Sequence, residues 1–521
     1  MSRLLDPATP TRHRHVLVVE DDAVNMAVLH LILKKIEYLV VPAPDVATAR
    51  QKFKQHGPAF FDCVLTDHWL PDQTGLDLLR WLKVEDPSLA TVMLTNDNNR
   101  DLITESLRLG LVDFLEKPVQ AQKLQAALDK ATLQTARQRH LHQSESALEN
   151  LGRIQRWMIH STNTQNIELC FHPVFEAGGD FLGHFQINPD SFCCLLTDVS
   201  GHDPQAAYVS SYFHGIFRGM AIQDASPVDI FQHFNRFLVH EWNQAEKLRD
   251  GNVGSTSIAA AALIINTRHQ TALLLINGSP IPIQIHPDGR TRFIGENTGP
   301  PLGWFSDIEI NASRHDIAGG GTICLWSDGL SELAHSEGIH PLCLAFALQR
   351  AKAHATRLPA LKHARDDILF ASIRLPGSLA ADLFRPIILE SYCGDQARDI
   401  DQMCSFWRRN LQFAFPDLTD ASEHDILLAS REAVLNALKH GCQNQADKIV
   451  HFQASYHPEG NLLRVWVEDP GPGHQFDVAA HANELDQQLI DQHRGLICIH
   501  HLAQSVHAER DGATLIMDFQ L

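Results

Sequence analysis

Between about residues 15 and 130, short apolar runs alternate with helix-like stretches, and residues 16–19, 63–66, 91–95 and 114–115 read as strands buried on both faces. That pattern predicts a doubly wound parallel sheet of the flavodoxin-like kind. From about 120 to 159 there is no Pro and almost no Gly, while Leu124, Leu128, Leu141, Leu148, Leu151, Ile154 and Met158 recur at roughly helical intervals. One long connecting helix is expected there. Polar residues around 134–139 interrupt the heptad, so packing on neighbouring domains and pairing with a second copy as a coiled coil both stay open. From about 168 to 375, strand-like runs are separated by Gly, Pro, Asn and Asp turns, with a helical stretch at about 204–248. This is the pattern of an α+β domain dominated by antiparallel sheet. Leu375-Pro-Gly-Ser378 marks a further boundary. Beyond it, a helical run at 422–440 precedes strands at 449–456 and 462–468, a helix near 497–503 and a last strand at 514–519.

A length of 521 residues fits this division, because roughly 150 residues per domain gives three or four domains. The 44% hydrophobic and 20% charged residues are ordinary for globular domains, which excludes wholesale disorder and fibrous structure. Lys+Arg 43 against Asp+Glu 62 leaves a net charge of −19, which repels nucleic acid and anionic membranes. No direct DNA or membrane partner is expected. The longest apolar run, 258–265, is too short to span a bilayer and the N-terminus lacks a secretory segment, so a cytoplasmic location is expected. The 10 Cys and 31 His show no zinc-like spacing and read as ordinary thiols and imidazoles.

Three constellations carry chemistry. In the first, Glu20 and Asp21 follow the first strand, Asp67 ends the third, Thr95 the fourth and Lys117 the fifth. Groups at the carboxyl ends of a parallel sheet converge on one crevice. Three carboxylates gathered there suit Mg²⁺, which leaves Asp67 as nucleophile toward a phosphoryl group, with Thr95 and Lys117 for its oxygens. Val18-Val-Glu-Asp-Asp22, Thr66-Asp-His-Trp-Leu-Pro71, Gly75 and Glu116-Lys-Pro118 resemble the receiver domain of response regulators. The resemblance implies phosphorylation of Asp67 by a cognate histidine kinase, relayed through Thr95 and Phe114, where the family often carries Tyr.

In the second, Asp180, Asp198, Asp328, Asp366 and Asp367 each lie at a strand end or beside Gly. Such carboxylates can bridge two divalent ions about 3.5 to 4 Å apart for direct hydrolysis of a phosphate ester. Gly178-Gly-Asp180, Asp198-Val-Ser-Gly-His202, Gly299-Pro-Pro-Leu-Gly303, Ser327-Asp-Gly-Leu-Ser-Glu332 and Arg365-Asp-Asp-Ile368 resemble the PP2C phosphatases of the SpoIIE and RsbU type. The family uses two Mn²⁺ or Mg²⁺ and an αββα sandwich. Two departures stand out: Asn277-Gly-Ser-Pro280 in place of an Asn-Ala-Gly-His-like turn, and Leu369 in place of the usual Thr.

In the third, no P-loop occurs, but Glu432 and Asn436 share one helix face at i, i+4 behind a capping box at Ser422-Glu-His-Asp425. Asn436 suits Mg²⁺ and Glu432 a base, with Lys439 beside them. Asp469-Pro-Gly471-Pro-Gly473 offers a carboxylate for an adenine amino group and glycines for backbone approach. Arg494-Gly495 is expected to open a helix whose N-terminus favours phosphate. With Asp511-Gly-Ala-Thr514 these resemble the GHKL (Bergerat) ATPase fold in its anti-sigma-factor serine kinase branch, which implies ATP and Mg²⁺. His493 stands where a Gly is common.

Taken together, a receiver at 14–130, a helical linker at 131–164, a PP2C domain at 165–376 and a GHKL domain at 380–521 resemble partner-switching response regulators of the HsbR and CrsR kind. The resemblance implies opposed dephosphorylation and phosphorylation of a serine on a STAS-type anti-sigma-factor antagonist. A sigma factor is a further implied partner, and a homodimer through receiver and linker is expected. The alternative is a C-terminal domain that only binds the antagonist or sigma factor, with the phosphatase as the active enzyme.

Overall fold

The structure, a computed structural model, describes residues 14–95, 110–161, 166–175, 178–201, 204–244, 256–295, 298–351, 358–378, 384–473 and 487–521. It divides into two compact units, 1–147 and 148–521. Among the described residues no helix is long and apolar enough to cross a membrane.

The first unit alternates β1 (Arg14–Val19), α1 (Ala23–Lys35), β2 (Tyr38–Ala43), α2 (Val46–His56), β3 (Cys63–Asp67), α3 (Gly75–Glu85), β4 (Thr91–Thr95), β5 (Asp113–Glu116) and α4 (Ala121–His160). The sheet is parallel, in the order β2-β1-β3-β4-β5. Its strands are apolar on both faces because helices cover both. Val16, Val18 and Leu65 pack with Leu29, Leu33, Leu124 and Leu128, whereas Leu17, Val19 and Val64 pack with Val46, Phe53, Leu78 and Leu82. Asp22 caps α1 by accepting from Val24 N and Asn25 N, both at 2.8 Å, which separates its role from that of Asp21.

The second unit takes in the last turns of α4 and then two layered domains. The first domain contains β6 (Ile167–His172), β7 (Phe181–Asn188), β8 (Ser191–Val199), α5 (Pro204–Ala221), α6 (Pro227–Phe237), β9 (Ile258–Asn266), β10 (Thr271–Asn277), β11 (Ile283–Ile285), β12 (Thr291–Phe293), β13 (Ala312–Asp316), β14 (Thr322–Trp326), α7 (Asp328–Glu337), α8 (Pro341–Ala351) and β15 (Ile368–Arg374). Two antiparallel sheets, β13-β10-β9-β8-β7 and β12-β11-β14-β15-β6, face each other across a core that includes Leu196, Leu263, Leu325 and Leu369. Phe213, Phe217 and Phe231 of α5 and α6 cover one outer face, and Leu330, Leu344 and Leu348 of α7 and α8 cover the other. The result is an αββα sandwich. Leu369, the residue departing from the usual Thr, is fully buried in its core.

The second domain has β16 (Arg385–Cys393), α9 (Ile400–Ala414), α10 (Asp420–Asn436), β17 (Ile449–His457), β18 (Leu462–Glu468), α11 (Gln487–Leu502), β19 (Ser505–Glu509) and β20 (Thr514–Gln520). Its antiparallel sheet runs β16-β17-β18-β20-β19, with the helices on one face. Helix α10 opens earlier than the proposed capping box, because Thr419 is the N-cap and accepts from Ser422 N at 3.2 Å. The other face is met by the β11–β12 turn of the sandwich. Gln453 Nε2 donates to Gly289 O at 2.5 Å, and Thr291 N donates to Gln453 Oε1 at 2.9 Å. Gly289 adopts φ +94°, and a Cβ there would overlap the Phe384 and Trp466 rings. Cys343 and Phe346 of α8 belong to the hydrophobic core of this second domain.

Candidate functional site

At the carboxyl edge of the parallel sheet, Glu20, Asp21 and Asp67 bring ligand atoms within 4.8 Å of one another. Glu20 is 2% exposed and Asp67 8%, so both carboxylates need a counter-charge. Lys117 Nζ supplies it, donating to Glu20 Oε2 and Asp67 Oδ2 at 2.6 Å each. Burial pulls the Lys117 ammonium down, but its hydrogen bonds to Asp67 and Glu20 outweigh that and raise its pKa overall. Asn25 Nδ2 holds the other Glu20 oxygen at 3.0 Å. Thr95 closes β4 and is buried, and Phe114 packs with Leu76, Leu79, Met93 and Leu111. All five expected residues lie at this edge, around an oxygen-rich trio suited to Mg²⁺.

In the sandwich, Asp180 precedes β7, Asp198 lies near the end of β8, Asp328 begins α7 and Asp366-Asp367 precede β15. Asp180 is 2% and Asp367 1% exposed. Burial first, then repulsion from Asp198, raises the Asp180 carboxyl well above its ordinary range. Asp198 is raised likewise, by burial and by the adjoining Asp328, Asp366 and Asp367. Asp180 Oδ2 is buried without a hydrogen-bond partner among the described residues. Buried acidic oxygens facing one another fit divalent cations. The set is wider than the receiver trio: among the described residues only that trio meets the 4.8 Å spacing.

Small residues make this crowding achievable. A Cβ on Gly178 would overlap Asp367 Oδ2, and one on Gly179 would overlap the Val199 carbonyl. Asp367 Oδ1 accepts from Val174 N at 2.8 Å, and Asp366 Oδ1 from Asp367 N at 2.7 Å. The divergent turn at Asn277 is a tie between two motifs, since Asn277 Nδ2 donates to Pro300 O at 3.1 Å and Gly278 N to Gly299 O at 2.8 Å. His202 lies outside the described residues.

In the last domain a cavity of about 310 Å³ is lined by residues including Asn436, His440, Gly441, Asp469, Gly473 and Gly495. Asp469 Oδ1 accepts from Gly471 N at 2.8 Å, which turns the carboxylate along the glycine loop. A Cβ on Gly441 would overlap the Asp469 carboxylate. The backbone widens to i→i+5 bonding over Ala437–Gly441, so the helix carrying Asn436 ends at the cavity wall. Gly495 sits over both Glu432 and Asn436: a Cβ there would lie 3.3 Å from Glu432 Oε2 and 3.1 Å from Asn436 Nδ2.

Other expected nucleotide contacts are placed differently. Lys439 is exposed and, with Glu432, Gly471 and Thr514, lies outside the cavity lining; Thr514 is buried in β20 opposite Glu468. Arg494 and Gly495 do not open a helix. They fall in the middle of α11, where backbone N–H groups are already used by the preceding turn, so no helix N-terminus is offered there. The Arg494 side chain lies outside the described residues. Gly512, Leu496 and Leu515 are among the further lining residues that were not expected as nucleotide contacts. Gly512 stood in the Asp511-Gly-Ala-Thr514 motif, whereas the two leucines carried no signal beyond hydropathy.

Comparison with known proteins gives three family matches in chain order. Residues 16–129 match the response regulator receiver domain, 188–376 the stage II sporulation protein E (SpoIIE) family, and 395–519 the histidine kinase-like ATPase domain. Phosphoserine phosphatase RsbP of Bacillus subtilis is 26% identical over 166 residues, 32% of this chain and 40% of that protein. Chemotaxis protein CheY of Bacillus subtilis is 29% identical over 119 residues, 23% of this chain and 96% of that protein. The solved RsbU and RsbW domains of Rv1364c from Mycobacterium tuberculosis align over 68% of this chain and 95% of that one, at 18% identity and a TM-score of 0.31. The matched stretch spans less than half of the RsbP relative. The chain thus carries a receiver, a SpoIIE-type PP2C domain and a kinase-like ATPase domain, in that order.

Proposed function

We propose that a chain built of these three domains is a phosphorylation-controlled response regulator with two opposed activities on one protein substrate. The SpoIIE-type domain removes a phosphate from serine, and the ATPase-type domain transfers one from ATP. The substrate class is a STAS-type anti-sigma-factor antagonist, and the outcome is control of a sigma factor by partner switching. The observation that carries this reading is the acidic set of buried Asp180 and Asp367 with Asp198, Asp328 and Asp366 around them, which has no role in an inert sandwich.

In the receiver, Asp67 attacks a phosphoryl group delivered from a partner kinase's histidine, and the P–N bond breaks as the aspartyl phosphate forms. Lys117 and Thr95 then contact the phosphoryl oxygens, and Glu20, Asp21 and Asp67 would hold Mg²⁺. In the sandwich, Asp180, Asp198, Asp328, Asp366 and Asp367 would hold two Mn²⁺ or Mg²⁺. Ions in that place supply Lewis acidity toward a water and toward the phosphoryl oxygens. The carboxylates would act by holding those ions, so that water adds to phosphorus as the P–O bond to the serine oxygen breaks and serine and inorganic phosphate are released. In the ATPase-type domain, Asp469 accepts from the adenine amino group, Asn436 would hold Mg²⁺, and Glu432 takes the proton of the substrate serine as it attacks the γ-phosphorus and the bond to the β-phosphate oxygen breaks, with ADP leaving.

A second reading is favoured by one observation. Arg494-Gly495 lies mid-helix and Glu432 stands outside the cavity lining, so among the described residues fewer of the contacts expected of a kinase line the cavity. The domain would then bind nucleotide and antagonist without transferring phosphate. Pairing of two copies along α4 is supported by Leu141, Ile154 and Trp157, which are 52%, 53% and 70% exposed.

The deciding assay combines purified chain, Mg²⁺ or Mn²⁺, ATP and a STAS-type antagonist, with acetyl phosphate as donor to Asp67. Asp198→Asn is expected to abolish phosphate release and Glu432→Ala to abolish antagonist phosphorylation; Asp67→Asn is expected to remove the acetyl phosphate effect on both. Unchanged phosphate release in Asp198→Asn would overturn the phosphatase assignment. Absence of phosphoserine with the wild-type chain would establish the second reading.

A further inference from the structure

The last turns of α4 bury Gly152, Gln155 and Ile159 on one face and leave Ile154, Trp157 and Met158 outside. A glutamine on the inward face is costly unless its amide is satisfied. Gln155 is 5% exposed and makes three hydrogen bonds, all to one short stretch of backbone. Its Nε2 donates to Gly178 O at 2.8 Å and to Asp180 O at 3.1 Å, and its Oε1 accepts from Gly178 N at 3.1 Å. The carboxamide therefore holds both the N–H and the carbonyl of Gly178 and fastens the Asp180 carbonyl as well.

That stretch is the one whose position sets the acidic set. Gly178 lies against the Asp367 carboxylate and Gly179 against the Val199 carbonyl, one residue beyond Asp198. With Gln155 as the third support, residues 178–180 are held from three sides. A shift of the Gly178 backbone would carry the Asp180 carboxylate with it, because Asp180 is only two residues further along the chain and enclosed.

We propose that Gln155 is a positioning residue for the divalent-cation site, setting the placement of Asp180 relative to Asp198 and Asp367 through its hold on the Gly178 and Asp180 backbone. The inference rests on reading that acidic set as the metal site of the phosphatase. Gln155 touches neither substrate nor ion; it acts through residues that do. Groups in that position orient ligands, and their loss typically weakens metal affinity by roughly 10-fold to 100-fold.

Isothermal titration of Mn²⁺ into the full chain tests this independently of catalysis. Asp198→Asn identifies which part of the binding belongs to the acidic set. Gln155→Met keeps the side chain's length and helix preference while removing all three hydrogen bonds, and Gln155→Glu keeps its shape while removing both donors. Ile159→Ala is the packing control on the same face. Both Gln155 variants are expected to weaken Asp198-dependent Mn²⁺ binding at least 10-fold, and p-nitrophenyl phosphate hydrolysis is expected to return toward wild type at saturating Mn²⁺. Ile159→Ala is expected to lower the unfolding temperature and leave Mn²⁺ affinity within twofold. Gln155 variants that bind Mn²⁺ within twofold of wild type would overturn the proposal while leaving the phosphatase reading intact. A wild-type chain without Asp198-dependent Mn²⁺ binding would overturn both. Should Gln155→Met fail to fold, Gln155→Glu alone carries the decision.

Discussion

His340, just before α8 of the sandwich, packs against Leu389 and Asn410 of the ATPase-type domain, and its protonation is expected to loosen that contact. Its backbone N–H donates to Asn410 Oδ1 at 2.8 Å, its Nε2 lies 3.1 Å from Leu389 O, and its Nδ1 accepts from Leu342 N at 3.1 Å. A carbonyl only accepts, so Nε2 carries the proton; an amide N–H only donates, so Nδ1 is bare. The neutral imidazole satisfies both contacts and the imidazolium breaks one. Burial pushes the His340 pKa from 6.5 down to about 4, with the Leu389 carbonyl opposing it. Because the folded value is the lower one, the stability is fully present above pH 6.5 and is lost as pH falls toward 4. Each pH unit in that interval is worth about 1.4 kcal/mol, so the whole interval amounts to about 3 kcal/mol and the loss by pH 5 to about 2 kcal/mol. Denaturant unfolding of the full chain near pH 7 and near pH 5 measures it, with His340→Gln as a variant that can still donate to Leu389 O and does not titrate. Other groups titrate in the same range, so the quantity is the difference in pH dependence between wild type and variant. Equal loss in both proteins would refute the reasoning.

Three further outcomes follow from single contacts. Gly441→Ala drives a methyl group into the Asp469 carboxylate and is expected to abolish binding of a fluorescent ATP analogue while lowering the unfolding temperature only slightly. Phe346→Ala removes a ring 2% exposed in the core of the ATPase-type domain, for an expected loss of about 3 to 5 kcal/mol by chemical denaturation. Lys117→Ala withdraws the ammonium from between Glu20 and Asp67, so Mg²⁺ is expected to bind several-fold more tightly while acetyl phosphate labelling of Asp67 falls; Trp69, whose N lies 3.4 Å from Asp67 Oδ1, gives the fluorescence readout.

The receiver was legible because topology does most of the work: in a parallel sheet, residues that end strands converge, and Glu20, Asp67, Thr95 and Lys117 end or follow strands recognisable from apolar runs alone. The sandwich carboxylates were legible for a related reason, since each abuts a strand or a glycine. Long-range partners were not. Apolar spacing along α4 picked out Ile154 and Met158, which are 53% and 37% exposed, and gave no signal at Gln155, which is buried. Hydropathy ranks a glutamine as polar, and it cannot register that three backbone groups distant in sequence will satisfy it. Arg494-Gly495 misled for the opposite reason. A glycine near a turn-rich segment suggests a helix start, but here it answers to a packing demand, the close approach of Glu432 and Asn436.

Helix α8 has a consequence for how this chain can be inherited. Phe346 and Cys343 belong by sequence to the sandwich and by packing to its neighbour, so the boundary seen along the chain and the boundary seen in space do not coincide. A recombination event near residue 378 would hand each descendant half a core, exposing a phenylalanine on one side and opening a void on the other. The sandwich and its neighbour therefore travel as one heritable piece, whereas the parallel-sheet domain belongs to a separate unit that ends at residue 147.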